Sequence, residues 1–250
     1  MTDVPPADEI ELSVVVPAHN SSLVLAQSVE RLRAYLRDVP SEILVVENGS
    51  SDSTAEIARS LQTSESPSVQ ALTSPKGMGE ALRAGVIAST GKRVLLTADD
   101  LPFGFDDLDE AAALPTVPPV VIGSKAHPRS SATRGSVRSL STWGFRTLRR
   151  VILGSRIGDS QGTIVVDGAW VRGMVDRLDA PGFLFSTQLC YAAELQGLEV
   201  VEVPVRLSED HGPKASTVRL SDVWLMGTGL LGLRAERREL RAGPRPGSIA

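Results

Sequence analysis

The chain has one cysteine, no long apolar run and no excess of basic residues. Because Cys190 is alone among 250 residues, no internal disulfide can form, which suits a reducing cytoplasm. No stretch reaches the 18 or so apolar residues that a membrane-spanning helix needs, and Val223–Leu233, the longest candidate, is too short. The acidic start has no signal-peptide pattern. A formal net charge of -4 argues against nucleic-acid binding.

Short apolar runs alternate with helical periodicity in the first hundred residues. The runs are Leu12–Pro17, Ile43–Val46, Val69–Thr73 and Arg93–Leu101. Such runs are typical of buried parallel strands, and three or four strand–helix units predict right-handed crossovers. We therefore predict an α/β fold with a doubly wound, Rossmann-like, mostly parallel sheet.

Polar residues follow these predicted strands. Because the tips of parallel strands meet at one edge of the sheet, these residues are expected to line one crevice. Amides and an acid suit a base and ribose, whereas a lysine and backbone N–H groups suit phosphate. The residues are Asn20, Glu47, Asn48, Lys76, Gly77, Gly79, Asp99 and Asp100.

Two adjacent acids end the fourth run. Asp99 and Asp100 would repel each other unless a cation shared their charge, so they indicate a site for a divalent metal. The alternative is that the pair caps the next segment, which begins with Pro102.

The second half of the chain turns basic between Lys125 and Arg156. Eight Lys or Arg residues occur there without an acid, and apolar residues accompany them, which favours an anionic partner such as a phosphate on an apolar chain or a membrane surface. The alternative is a basic helix that merely faces solvent. The basic residues are Lys125, Arg129, Arg134, Arg138, Arg146, Arg149, Arg150 and Arg156.

Two polar loops of the second half carry further candidate residues. Asp159 and Gln161 precede the predicted strand Ile164–Val166, and His211 and Lys214 lie in a loop rich in glycine and proline. A metal or a phosphate could use His211 and Lys214. The alternatives are a turn cap for Asp159 and ordinary loop polarity for the other two.

Seven motifs between Leu12 and Thr217 together resemble the family 2 glycosyltransferases of the GT-A fold. The similar branch is that of the polyprenyl-phosphate hexosyltransferases, the dolichyl-phosphate mannose and glucose synthases. In chain order the motifs are SVVVPAHN, EILVVENGSSDST, KGMGEALRAG, LLTADDL, GSKAHPRSS, GDSQGTIVV and VVEVPVRLSEDHGPKAST.

This resemblance implies a metal-dependent, inverting transfer of a hexose from UDP-glucose or GDP-mannose to a polyprenyl phosphate, with Mg²⁺ or Mn²⁺. It implies one GT-A domain over 12–233, with a nucleotide-sugar half at 12–101 and an acceptor half at 102–233. A flexible N-terminus at 1–11 and a polar flexible tail at 234–250 are expected to flank it. The location implied is cytoplasmic or peripheral at the inner face of the membrane.

The resemblance also implies roles for individual residues. Pro17, Asn20, Glu47 and Asn48 would border the base and ribose, with Lys76, Gly77 and Asp99 completing the nucleotide-sugar site. Asp100 would be a metal ligand, with Asp99 or His211 completing the shell. Asp159, which matches the acid of a DTQCG-type motif, would act with Gln161 as a base or an acceptor-orienting group. The acceptor phosphate would be held by Lys125, Arg134, Arg138 and Lys214.

The sequence departs from the family pattern at three places. Ala98 replaces the first acid of the usual DXD triplet, Ser21 replaces an acid after the opening motif, and Asn48 replaces the second acid of VVDDGS. Two alternatives therefore stay open. One is a glycosyltransferase of the same fold with a soluble or cell-envelope precursor acceptor. The other is a nucleotide-sugar-binding homologue whose catalysis is impaired.

Overall fold

The computed structural model describes residues 10–131, 136–206 and 220–244, without the side chains of 136–143 and 220–226. The chain divides into two compact units. The first unit consists mainly of the chain up to Leu101 together with Thr163–Gly182. The second unit consists of Pro102–Gly162 and Phe183–Gly243. The functional halves expected at 12–101 and 102–233 stay a prediction.

The described residues form seven strands and nine α-helices. The strands are β1 (Leu12–Ala18), β2 (Ser41–Glu47), β3 (Ser68–Thr73), β4 (Arg93–Leu96), β5 (Val120–Ser124), β6 (Thr163–Asp167) and β7 (Val200–Pro204). The helices are α1 (Leu25–Tyr35), α2 (Thr54–Ser60), α3 (Met78–Ala88), α4 (Asp106–Ala112), α5 (Ser136–Leu153), α6 (Gly168–Met174), α7 (Leu184–Leu195), α8 (Leu220–Ala235) and α9 (Arg237–Arg241).

Five strands belong to the first unit, in the order β3-β2-β1-β4-β6. The first four run parallel, and β6 pairs antiparallel with β4. Val14–Val16 of β1 and Ile43–Val46 of β2 are fully buried because helices and neighbouring strands cover both faces, as in other parallel sheets. The prediction of an α/β fold with a mostly parallel sheet is confirmed.

A proline in β1 explains where β4 stops. Val15 accepts a hydrogen bond from the Thr97 N–H at 3.2 Å, so the next donor on that side of β1 would be residue 17. Pro17 has no N–H, and the described pairing of β4 with β1 ends with Val15 opposite Leu96. The chain is thereby released from the sheet just before Asp99 and Asp100.

Helix α3 packs closely against β1. A Cβ atom added at Gly85 would lie 2.2 Å from Cγ1 of Val15, so only glycine lets the helix approach the strand this closely. Val86 and Leu82 of the same helix are buried beside it. The start of α3, which follows the loop after β3, is thus positioned firmly relative to β1.

The second unit contains the parallel pair of β5 and β7, in register from Val120 opposite Val200 to Ser124 opposite Pro204. Helix α7 buries most of its residues, including Phe185 and Leu189. None of the described helices combines the length and apolar character that crossing a bilayer requires.

The structure differs from the sequence expectation at the C-terminal tail. A polar flexible tail was expected from residue 234, yet α8 continues to Ala235 and α9 follows. Leu240 is 1% exposed, and its carbonyl accepts a hydrogen bond from Gln196 Nε2 at 2.8 Å. One apolar residue among charged ones is enough to dock this short helix. Residues 245–250 and 1–9 lie outside the described part.

Candidate functional site

Most residues predicted to bind the nucleotide follow the C-terminal ends of parallel strands in the first unit. β1 and β2 end in register, with Ala18 opposite Glu47, and β4 ends at Leu96. The loops after these strands therefore share one edge of the sheet, where open α/β sheets bind ligands. The predicted residues beyond this edge are Asn20, Asn48, Lys76, Gly77, Asp99 and Asp100, and Glu47 and Pro17 end their strands.

Asn20 joins the loop after β1 to the loop after β2. Its Oδ1 accepts the Ser51 N–H at 2.8 Å, and its own N–H donates to Ser50 Oγ at 3.1 Å. The Ser50 N–H in turn donates to Oε1 of Glu47. Two predicted nucleotide ligands therefore also organise the loops, and their contacts with a nucleotide stay a prediction.

Asp52 fixes the start of α2. Its carboxylate accepts hydrogen bonds from the Thr54 N–H at 3.0 Å, from Thr54 Oγ1 and from the Ser22 N–H at 3.2 Å. Hydrogen bonds from Thr54 and then from Ser22 hold the pKa of this carboxyl far below its usual range. Asp52 therefore caps α2 through Thr54, the first residue of the helix.

Asn48 is a buried link between two strands' loops. Its side chain is 4% exposed, and its Nδ2 donates to the Ala18 carbonyl at 3.2 Å. Its Oδ1 accepts the Gly77 N–H at 3.4 Å. The Gly77 N–H, which was expected to meet phosphate, is thus already engaged. The structure makes Asn48 a residue that holds the β1 and β3 loops in place.

Lys76 lies against the loop after β2. Gly49 has a φ of +78°, and a Cβ atom there would lie 3.2 Å from Cβ of Lys76, so a side chain at this position would be both strained and crowded. The Lys76 side chain is exposed. It is therefore accessible for the phosphate role that the sequence predicts.

Asp99 and Asp100 follow β4, and both are half-buried. Oδ2 of Asp99 accepts a hydrogen bond from Ser21 Oγ, and Ser21 is 3% exposed. Helix α4 begins only at Asp106, so no helix starts directly after the pair, and the alternative that the pair caps the next segment stays open. An acid at position 21 would place two carboxylates against each other, and Ser21 removes that repulsion.

The two carboxylates fit a divalent metal that is shared with a diphosphate. The described residues contain no group of three or more His, Cys, Asp or Glu that could enclose an ion. Mg²⁺ is commonly bound through one or two carboxylates together with substrate phosphates, so Asp99 and Asp100 supply a sufficient set of oxygen donors. His211, the third predicted ligand, lies outside the described residues.

In the second unit, Asp159 lies beside Lys125 and Gln161. Its Oδ2 accepts the Lys125 N–H at 3.1 Å and is 4.0 Å from Lys125 Nζ, and its Oδ1 accepts the Gln161 N–H at 3.0 Å. Asp159 is 8% exposed. Lys125 Nζ also lies 5.2 Å from the centroid of the Phe103 ring. The carboxylate thus organises a turn that presents a lysine.

Gln161 has an unusual side chain. Its Nε2 is buried and has no hydrogen-bond partner among the described residues. A buried amide donor without a partner is rare in folded proteins, and at a functional site it suggests a ligand that completes the bond. The prediction that Gln161 acts beside Asp159 stays a prediction.

The sequence gives no local sign of Glu202, which holds the Asp159 turn from β7. Its two carboxylate oxygens accept the Gly158 N–H at 2.7 Å and the Asp159 N–H at 2.9 Å. Lys125, Asp159, Gln161 and Glu202 are called the Asp159 cluster below. Glu202 is separated from Asp159 by 43 residues. The only signal for it in the sequence is that it is the one acid in the strand β7.

Arg149 is a second residue whose role the sequence does not reveal. It is 2% exposed, and it donates to Ser160 Oγ at 2.5 Å and to the Ile157 carbonyl. Burial lowers the pKa of its guanidinium, whereas the neighbouring Cys190 and Asp159 oppose that shift. Arg149, one of the eight basic residues, therefore stabilises the Asp159 turn from a buried position.

The other described basic residues between Lys125 and Arg156 do not lie together in a single anion-binding patch. Arg129 pairs with Glu110 at 3.2 Å, whereas Arg146, Arg150 and Arg156 are exposed. Of the predicted acceptor-phosphate residues, Arg134 and Lys214 lie outside the described residues, as does the side chain of Arg138, which is in α5.

Comparison with known proteins identifies relatives over most of the chain. The model of the family described as Glycosyl transferase family 2 matches residues 13–171. A dolichyl-phosphate beta-glucosyltransferase of Drosophila melanogaster is 30% identical over 225 residues, which cover 82% of this chain and 69% of that protein. The human protein of the same name is 29% identical over 224 residues, with the same coverage.

Solved structures share the fold. Glucosyl-3-phosphoglycerate synthase from Mycobacterium tuberculosis, in complex with Mn²⁺, UDP-glucose and phosphoglyceric acid, matches with a TM-score of 0.62 and 20% identity. The match covers 98% of this chain and 84% of that chain. The complex of the same protein with Mg²⁺ and UDP matches with a TM-score of 0.63.

Proposed function

Because the chain belongs to glycosyl transferase family 2, we propose that it transfers glucose from UDP-glucose to a polyprenyl phosphate. The observation that carries this proposal is the position of Asp99 and Asp100 directly after β4, at the strand edge where Asn20, Asn48 and Lys76 also lie. The names of the fly and human relatives support glucose and a dolichyl-type acceptor. Complexes of structural neighbours with UDP and Mg²⁺ or Mn²⁺ support the nucleotide and the metal.

Asp100 and Asp99 would hold the metal together with the diphosphate of the sugar donor. A bound Mg²⁺ or Mn²⁺ supplies neutralisation of the charge that develops on the leaving diphosphate. Asp100 is the better candidate for direct ligation, because the family resemblance places it at the metal-ligating acid of the DXD triplet. Lys76, with its exposed ammonium group, would add a second positive charge to the diphosphate.

The transfer requires no base on the protein when the acceptor is a phosphate. An oxygen of the phosphate forms the bond to the anomeric carbon, the bond from that carbon to the diphosphate breaks, and the configuration inverts. Because a phosphate monoester is anionic at neutral pH, no proton has to be removed. Asp159 would therefore act as a positioning residue that orients Lys125 toward the acceptor phosphate rather than as a base.

A nucleotide-release assay tests the proposal. Purified protein with Mn²⁺ receives UDP-glucose or GDP-mannose, each alone, with a short-chain polyprenyl phosphate, or with 3-phosphoglycerate as a soluble acceptor. We expect UDP release only from UDP-glucose and only with the polyprenyl phosphate.

The control variants separate binding from transfer. Asp100→Asn should abolish release, whereas Asp38→Asn, an exposed acid on the same unit, should leave it unchanged. Release with 3-phosphoglycerate alone would replace the lipid acceptor with a soluble one. Binding of a nucleotide sugar without release to any acceptor would instead support a nucleotide-sugar-binding homologue whose catalysis is impaired.

A further inference from the structure

The second unit contains a cavity of about 660 Å³ that none of the predicted site residues lines. Its walls come from the end of α5 and the turn that follows, from α7, from β7, and from the junction of α8 and α9. The cavity is open to solvent, and its volume is sufficient to hold a small organic ligand against one wall. We call it the arginine cavity, after Arg156, Arg234 and Arg237, which line it.

Two residues that line the arginine cavity carry buried polar atoms that lack partners among the described residues. Tyr191 is 2% exposed, and its hydroxyl has no hydrogen-bond partner among the described residues. The same holds for Oε2 of Glu194, although Oε1 of Glu194 accepts the Arg156 N–H at 2.8 Å. An ionised carboxylate only accepts hydrogen bonds, so a molecule that satisfies Glu194 must present a hydroxyl or another donor.

The charged side chains that line the arginine cavity favour the binding of an anion. Three arginines line it, against two carboxylates, Glu194 and Glu202. The charge of Glu202 already faces two backbone N–H groups, those of Gly158 and Asp159. Guanidinium groups bind phosphate and carboxylate through paired hydrogen bonds, so the anionic end of a ligand is expected near the arginines.

We propose that the arginine cavity binds a small hydroxylated anion of the sugar-phosphate class. The phosphate would contact Arg237 and Arg234, whose Nη1 also donates to the Ile152 carbonyl. The ligand hydroxyls would bond to Glu194 Oε2 and to the Tyr191 hydroxyl once these buried side chains turn toward the cavity. Apolar walls, which include Leu153 and Ile157, suit the carbon face of a sugar ring. The donor site after β4 is not required for this binding, and of the Asp159 cluster only Glu202 lines the cavity.

Binding in the arginine cavity should also affect the Asp159 turn. Glu202 lines the arginine cavity and accepts the N–H groups of Gly158 and Asp159, so a ligand that orders Glu202 also protects these two amides. Their hydrogen exchange is therefore a readout of binding near Glu202, and its loss in Arg237→Ala distinguishes the cavity from the acceptor site at Lys125.

Calorimetric titration of the full chain with glucose 6-phosphate tests the proposal, in the absence of nucleotide sugar and metal. We expect saturable binding that weakens about tenfold with methyl glucoside, which lacks the anion, and with inorganic phosphate, which lacks the hydroxyls. Glucose 6-phosphate should also slow exchange at the amides of residues 158 and 159.

A matched pair of variants locates the site. Arg237→Ala should weaken binding about tenfold, whereas Arg238→Ala, its exposed neighbour in α9 that does not line the cavity, should leave it unchanged. Glu194→Gln and Tyr191→Phe should each weaken binding of glucose 6-phosphate, and thermal melting shows whether each variant is folded.

The proposal is overturned by any of three results. These are no saturable binding up to about 10 mM glucose 6-phosphate, equal effects of Arg237→Ala and Arg238→Ala, or binding that leaves the amides of residues 158 and 159 unprotected. Because no donor or acceptor is present in these measurements, they do not depend on the glucosyl transfer proposed above.

Discussion

The two regions that carry candidate site residues are built in opposite ways. After β1, β2 and β4, short polar side chains bond to nearby loop backbone, and Asn20, Asp52 and Lys76 are exposed. In the Asp159 cluster the carboxylate is 8% exposed, and it depends on Arg149 and Glu202. The first region therefore exposes groups to a ligand, whereas the second holds one turn in place by buried charges.

This difference predicts that substitutions in the two regions fail for different reasons. In the first region a lost carboxylate removes a contact with ligand and leaves the fold unchanged. In the second region, loss of a charged side chain leaves buried groups without a hydrogen-bond partner, which lowers the stability of the protein. The loss of activity then follows from the loss of stability. The four predictions below test that contrast.

Asp100→Asn should have the largest effect, a loss of about 100- to 1000-fold in glucosyl transfer, because it removes charge where the diphosphate and its metal are proposed to bind. Its melting temperature should match that of the wild type. Titration with UDP-glucose and Mn²⁺ measures the binding loss. Asp99→Asn should lose less, since the family resemblance makes Asp100 the metal ligand of the triplet and Asp99 only a completing one. Unchanged metal-dependent binding in Asp100→Asn would place the metal elsewhere.

Arg149→Ala should destabilise the protein by about 3 kcal/mol, because it leaves a buried void and removes the donors of Ser160 Oγ and the Ile157 carbonyl. Arg150→Ala, the exposed neighbour, should change the free energy of unfolding by less than about 0.5 kcal/mol. Urea unfolding of both variants measures the difference. Equal values would mean that burial of Arg149 contributes nothing to the fold.

Glu202→Gln should cost about 2 kcal/mol, because an amide can accept only one of the two N–H groups that the carboxylate holds. Transfer should fall as well, through the displaced Asp159 turn. Glu199→Gln, an exposed residue just before β7, is the matched control. Urea unfolding gives the stability and the release assay gives turnover. A loss of turnover without a loss of stability would make Glu202 a direct participant.

Asp52→Asn should have the smallest effect, and one that depends on pH. Because hydrogen bonds hold the folded pKa of Asp52 below its ordinary value of 3.8, its stabilisation is complete above that pH and is lost as the pH falls through the folded pKa. The difference in melting temperature between wild type and Asp52→Asn should therefore be constant above about pH 5 and shrink at lower pH. Asp38→Asn should show no such trend.

The sequence predicts the first region well and the second only in outline. Strand ends and their polar residues follow from local pattern, so the placement of Asn20, Asn48 and Asp99 beyond one sheet edge could be expected. The local pattern does not show that Asn48 is buried and bonded to Ala18 and Gly77. Hydrogen bonds depend on side-chain direction, which periodicity does not specify.

The second region depends on residues far apart in the chain. Arg149 looks like one of eight exposed basic residues, and only the packing of α5 shows that it is buried. Glu202 lies 43 residues from the turn that it holds. Likewise, the many charged residues after residue 234 favour a flexible tail, but burial of Leu240 docks α9 onto the fold. In all three cases the position of the side chain depends on packing between distant parts of the chain.

The antiparallel strand β6 has a consequence for the synthesis of the chain. β4 lies between β1 and β6, and β6 is made only after the intervening residues 97–162. Until then, one side of β4 is an open strand edge, which is a ready template for pairing with another chain. A nascent or truncated chain that stops at Leu101 should therefore aggregate, and the first unit can complete its folding only when the ribosome has released residues 163–182.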